Sequence, residues 1–334
     1  MHKLTIEDLR IIPYLSLEHL SGRTVAMMPL WDGSQWHVWV PGPNGLINMR
    51  PTDFIETDYI ALQPALDSDL CIPFVELMWQ QASWPEVCPL IHAICDDFHN
   101  MGTSVAKLHH IFNTSAVLPN GMSSRFASTE IEYIVILART IFDYLQEIIS
   151  LVWNEHIALL DPDADKYRQR RKLPRTFSKI VLRDKRDLRS MQDIVTDFRL
   201  PGPLSDSYSR IGPFFSELRD IRDSIVHRGG GTDHVFITEK GFCVSPNRRP
   251  FNTYLGWNES NLYNENLHSL IPWIANVITQ TIDSCSALML TFANIIKLPP
   301  AIAPGYHIYV RGQSNAELVE LLRVRNGGSP WWGQ

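Results

Sequence analysis

A chain of 334 residues in which 45% are hydrophobic and 20% charged has ample apolar surface to bury, which excludes a disordered polymer and suits one large or two ordinary domains. The formal charge of −6 conceals an asymmetry: residues 1–100 carry 4 Lys/Arg against 13 Asp/Glu, and the remainder carry 26 against 23. A basic partner for the first part and an anionic one for the second are compatible with that balance, although such imbalances commonly tune only solubility.

The opening Met-His-Lys-Leu-Thr-Ile-Glu-Asp has neither an apolar core nor a small-residue cleavage site, so no signal peptide is expected and the chain reads as cytoplasmic. Two alternating segments, residues 24–28 and 35–40, flank the turn-forming Trp31-Asp32-Gly33-Ser34 and predict a β-hairpin, with a third strand over residues 46–49. The pattern then becomes helical, near residues 73–81 and 85–112. Residues 113–127, rich in turn formers, make the best linker. Thr129 followed by Glu132 matches a capping box and predicts the start of a helix that runs to about Leu159. Asp161-Pro162-Asp163 breaks it.

Residues 166–189 follow, with 11 Lys/Arg against only Asp184 and Asp187. Such a cluster is either a solvated surface or a track for a phosphodiester backbone. Pro213 is expected in the first turn of the next helix, which continues through Phe214, Phe215, Leu218 and Ile221 to His227, where Gly229-Gly230-Gly231 stops it. A short hairpin over residues 233–244, a long helix over residues 262–297, a strand over residues 306–310 and a short helix over residues 316–323 complete the chain. The two most apolar stretches, residues 131–153 and 270–298, are interrupted by Glu132, Arg139, Asp143 and Glu147 and by Asn276, Gln280 and Asp283. They read as amphipathic helices rather than membrane spans.

Two constellations bear on chemistry. Cys88, His92, Cys95 and His99 share one helical face, but they extend over about 16 Å of helix and cannot surround one ion, so a core-facing stripe is the expectation and no metal site is assigned. The five cysteines form an odd set without Cys-x-x-Cys pairs, which argues for reduced, mostly buried thiols. The second constellation is Arg222-Asp223-Ser224-Ile225-Val226-His227. The carbonyl end of the helix favours a positive His227, and Asp223 lies four residues earlier as a hydrogen-bond acceptor for the imidazole. By spacing alone an Arg-x4-His pair is near chance in a chain with 22 arginines and 12 histidines. Its setting gives it weight, at a helix end with long amphipathic helices on either side and a basic segment before it.

At these residues the chain resembles the HEPN superfamily, whose hallmark is this Arg-polar-x3-His sequence. The resemblance implies a mainly α fold, with an HEPN-like antiparallel helical bundle over residues 128–298. A small N-terminal α+β accessory domain over residues 1–115 and a C-terminal extension over residues 299–334 would flank it. It implies a metal-independent endoribonuclease, of the toxin or defence kind common in that superfamily, with Arg222 and His227 as the catalytic pair, Asp223 as the adjacent polar position and no cofactor. RNA would be the substrate, and a neutralising protein a possible partner. Arg219, Arg228, Arg170, Arg171, Lys172, Arg175 and Lys179 are the candidate phosphate contacts. At about 100° per residue Arg222 and His227 fall about 140° apart around the helix, and the homodimer that the resemblance implies would assemble a composite site. No membrane association is expected. The alternative is a non-catalytic module that binds RNA, a nucleotide or a protein, in which Arg219 and Arg222 pair with neighbouring acids and His227 merely stabilises the helix end.

Overall fold

The computed structural model describes residues 7, 10, 15–18, 20–24, 29–42, 45–49, 57–119, 121–168, 171–184, 187–228 and 235–332, and for residues 39–42, 45–49 and 226–228 the description is of the backbone alone. The protein is mainly α. Two compact units are each assembled from three segments: Met1–Asp96, Asp143–Gly212 and Cys285–Gly312 in the first, and Asp97–Phe142, Pro213–Ser284 and Gln313–Gln334 in the second.

In the first unit, strands β1 (Leu30–Trp31), β2 (Trp36–Gly42), β3 (Gly45–Met49), β4 (Asp58–Ala61) and β9 (His307–Val310) form a sheet in the order β3-β2-β1-β4-β9. Only the β1–β4 pairing is parallel. The expected turn between β1 and β2 is held by Asp32, whose Oδ1 accepts from the amides of Ser34 at 2.8 Å and Gln35 at 2.9 Å. Tyr59, Ala61 and Tyr309 form the buried centre, with Trp31 and Trp36 packed against it.

Helix α1 (Pro73–Gln81) begins on a proline, which needs no amide partner in a first turn. It buries Phe74, Val75, Met78 and Trp79. The Trp79 indole donates to Asp58 at 2.8 Å. The Gln80 side chain accepts from the Ala303 amide at 2.9 Å and donates to the Tyr306 carbonyl at 3.0 Å, tying the helix to the approach to β9.

Four long helices run through the rest: α2 (Cys88–Asn113), α3 (Met122–Leu151), α8 (Gly202–Arg228) and α9 (Ile271–Ile295). At the end of α3 the backbone widens into a π turn over Val152–His156 before α4 (Ile157–Leu160). One face of this region reads the extended chain beside it. Gln146 donates to the Pro174 carbonyl at 2.9 Å, Ser150 donates to the Leu173 carbonyl at 2.9 Å, and Asn154 accepts from the Leu173 amide at 3.0 Å. Burial of these polar side chains is tolerated because these bonds satisfy them. Tyr208, fully buried, donates to Gln146 Oε1 at 2.7 Å. Tyr208→Phe is expected to destabilise the protein by about 1–3 kcal/mol, because it orphans a buried acceptor. A urea midpoint equal to that of the wild type would show that the bond contributes nothing.

In the second unit a sheet of order β5-β6-β8-β7 is built from Phe236–Thr238, Gly241–Val244, Leu267–Ser269 and Leu262–Asn264 respectively. Trp332 packs edge-on against Phe242 at 5.3 Å and over Gly241, and Trp331 lies under Lys240 at 5.4 Å, so the C-terminal tryptophans dock. His268 lies 5.2 Å from Trp257, its buried Nδ1 has no hydrogen-bond partner among the described residues, and burial lowers its pKa. The unfolded chain therefore takes up the proton first as pH falls through about 6.5, and stability drops from there until the folded pKa is passed. Thermal midpoints measured over this range should fall more steeply for the wild type than for His268→Gln; parallel curves would exclude this contribution.

Several boundaries differ from the sequence expectations, each for a physical reason. Helix α3 starts at Met122, not at Thr129. Gly121, at φ +79°, turns the chain, and the buried residues already begin at Ser123 and Ala127. Thr129 is inside the helix, donating to the Arg125 carbonyl at 3.0 Å, as mid-helix threonines do. The linker shrinks accordingly, with a 3-10 turn over Ser115–Val117. Helix α8 starts at Gly202, and Pro213 lies within it. The stripe Leu204, Tyr208, Ile211, Phe215 and Leu218 is buried along its length, while Pro213 is on the exposed side. Burial thus outweighs the lost backbone bond. Residues 262–269 form a hairpin instead of the start of a helix, because Pro272 confines the helix start to Ile271 and the edge of β6 pairs Cys243 with Ser269. Of residues 24–28, where the first strand of the N-terminal hairpin was placed, Thr24 is in no strand and the others lie outside the described residues.

Candidate functional site

Arg219, Arg222 and Asp223 occupy the last turns of α8, and they interact. Asp223 Oδ1 accepts from Arg222 Nη1 at 3.0 Å, and Asp223 Oδ2 lies 3.6 Å from Arg219 Nε. One carboxylate thus lies between two guanidiniums. The Arg222 and Asp223 side chains are each 33% exposed and Arg219 is 22% exposed. A partly exposed ion pair stabilises by only about 0–1 kcal/mol. The backbone of His227 and Arg228 is helical, but their side chains, and residues 229–231, lie outside the described residues. The bond expected between His227 and Asp223 is thus not described, and the oxygens of Asp223 face arginines.

The basic run belongs to the first unit, and much of its charge is answered by acids within that unit. Lys166 pairs with Asp163 at 2.7 Å, Arg168 with Asp165 at 2.5 Å, Arg175 with Glu147 at 3.3 Å and Arg189 with Asp197 at 3.0 Å, while Arg183 pairs with Asp193. Arg171 donates to the Asp197 carbonyl at 2.6 Å. Arg170 lies outside the described residues. Lys172 and Lys179 are exposed, and among the described residues no carboxylate pairs with either. Of these acids, Asp193 and Asp197 are four residues apart on α7 (Met191–Phe198). Glu147 is on α3, and nothing local announced it.

The stripe Cys88, His92, Cys95 and His99 does not converge on an ion. Cys95 is buried, His92 is exposed and meets the Trp79 ring edge-on at 4.8 Å, and Cys88 Sγ donates to the Ser83 carbonyl at 3.4 Å. A different set does converge. Donor atoms of Cys71, Glu76 and His307 lie within 4.8 Å of one another, among the described residues. The Cys71 thiol donates to Glu76 Oε2 at 3.2 Å, and His307 Nδ1 lies 2.8 Å from Glu76 Oε1. Partial desolvation, with the Glu76 carboxylate adding to it, pushes the Cys71 thiol up to about 12. Only the first two residues are close in sequence, so the third gave no signal.

No protein-family model, no curated protein and no solved structure matches this chain. Among the described residues no helix is long and apolar enough to cross a membrane.

Proposed function

We propose that this protein is an HEPN-like, metal-independent endoribonuclease whose catalytic pair is Arg222 and His227. The observation that carries the reading is the Arg219–Asp223–Arg222 cluster in the last turns of a 27-residue helix, one turn before His227. In the reaction an RNA 2′-hydroxyl attacks the adjacent phosphorus. His227 moves a proton from the nucleophile or to the leaving 5′-oxygen, and Arg222 braces the charge on the phosphoryl oxygens. Asp223 holds Arg222 in place before substrate arrives. Lys172 and Lys179 remain the best of the phosphate contacts expected in the basic run, because among the described residues no carboxylate pairs with them.

Because helical periodicity sets positions 222 and 227 about 140° apart around the helix, the proposed site is composite, formed by two copies of α8 in a homodimer. The test is sedimentation across a dilution series alongside RNA cleavage. Activity should fall as the dimer dissociates, and a monomer of undiminished activity would exclude the composite site. A toxin or defence role with a neutralising partner belongs to the same reading. The second reading, a non-catalytic binding module, is favoured by Arg175, Arg183 and Arg189, which are already paired with Glu147, Asp193 and Asp197. It requires neither Arg222 nor His227.

A further inference from the structure

We propose that Cys71, Glu76 and His307 form a zinc site with three protein ligands and a fourth position open to solvent. Each donor is fixed by backbone structure. Leu70 and Val310 exchange hydrogen bonds of 3.1 and 2.8 Å, which pins the segment carrying Cys71 beside β9. Glu76 sits in the first turn of α1, with its amide bonded to the Ile72 carbonyl at 3.0 Å. His307 is the first residue of β9, paired with Ala61 of β4. A loop, a helix and a strand thus bring one sulfur, one carboxylate and one imidazole together, the donor types that zinc prefers.

The distances suit an ion. Zinc bonds of about 2.0–2.3 Å place tetrahedral donors about 3.4–3.6 Å apart. Here the sulfur is 3.2 Å from one Glu76 oxygen and the imidazole nitrogen is 2.8 Å from the other. The three donors lie within 4.8 Å of one another, so the ion enters when these two contacts open by a few tenths of an ångström and the widest pair closes towards the tetrahedral separation. Bonds form from zinc to Cys71 Sγ, a Glu76 oxygen and His307 Nδ1. The S–H bond breaks and releases its proton to solvent, and the proton on Nδ1 is exchanged through solvent for one on Nε2, so the neutral imidazole binds through Nδ1. Thiolate and carboxylate then balance the dication, leaving a neutral centre. Cys71 and His307 are both exposed, so the ion has an entry path and a place for water.

The test uses cobalt(II) as the probe. The full-length, reduced protein, stripped with chelator, is titrated with cobalt while near-ultraviolet absorption is followed. The expected result is a thiolate-to-cobalt charge-transfer band that saturates at one equivalent and is displaced by zinc. Cys71→Ser should remove the band. His307→Ala should weaken binding by more than the roughly 10–100-fold typical of changes outside the ligand set. A missing band in the wild type would overturn the proposal, as would a band that survives Cys71→Ser or an affinity unmoved by His307→Ala. Circular dichroism of each variant checks that the fold is intact. RNA cleavage plays no part in this readout, so the zinc site and the ribonuclease reading fail independently.

Discussion

His227→Ala is expected to lower the rate of RNA cleavage by about 10²–10⁴-fold, the usual contribution of a positioned proton donor or acceptor, with the fold unaffected. Arg222→Ala should cost a comparable factor of about 10²–10³, because it removes a donor to the phosphoryl oxygens as charge builds there. Arg222→Lys should recover part of that loss, since the charge remains while the fork geometry is lost. Asp223→Asn is the informative companion. It frees Arg222 from its carboxylate partner at 3.0 Å, so it should weaken substrate positioning and leave most of the chemistry in place. The measurement is single-turnover cleavage of a labelled RNA at saturating protein. Equal rates for the wild type and His227→Ala would remove the catalytic assignment.

Trp79→Ala should destabilise the protein by about 3–5 kcal/mol, the range for truncating a fully buried aromatic residue. Trp79 is 1% exposed, and its indole is the donor to buried Asp58 at 2.8 Å. Truncation therefore opens a cavity and also removes a hydrogen bond from a carboxylate that water does not reach. Trp79→Phe separates the two effects, because it keeps most of the packing and loses only the donor. A chemical-denaturation midpoint for Trp79→Ala within experimental error of the wild type would contradict the packing described for α1 and β4.

How much of this was legible in the sequence depends on how local each cause is. Helix α1 was read with its observed bounds, because Pro73 marks a first turn and its apolar residues repeat at helical spacing. The hairpin over β5 and β6 was legible for a similar reason, with Glu239-Lys240-Gly241 between two short apolar runs. Thr129 misled because a capping-box pattern has the same spelling inside a helix as at its start, and only burial of Ser123 and Ala127 decides between them. Pro213 misled in the same way. Its exposed position lets the ring sit in mid-helix, and a sequence does not declare which side of a helix will be wet.

The candidate sites divide along the same line. Arg219 and Asp223 are four residues apart, so their pairing followed from helical periodicity, and Arg222 adjoins Asp223 in the chain. The basic run looked like an excess of nine charges because the window that counted it left out Glu147, Asp163, Asp165, Asp193 and Asp197, which lie outside it or just before it. Cys71 and Glu76 are five residues apart, but the strand that brings His307 to them is 231 residues from Glu76, and only folding makes that contact.

The proposed ribonuclease is tested most directly by end-group analysis of products released by the wild-type protein in excess chelator, from an RNA and from DNA of the same sequence. Attack by a 2′-hydroxyl predicts RNA fragments ending in cyclic phosphate and 5′-hydroxyl groups, with the DNA intact. Cleavage of the DNA, or RNA cleavage that appears only when a divalent ion is restored, would contradict it.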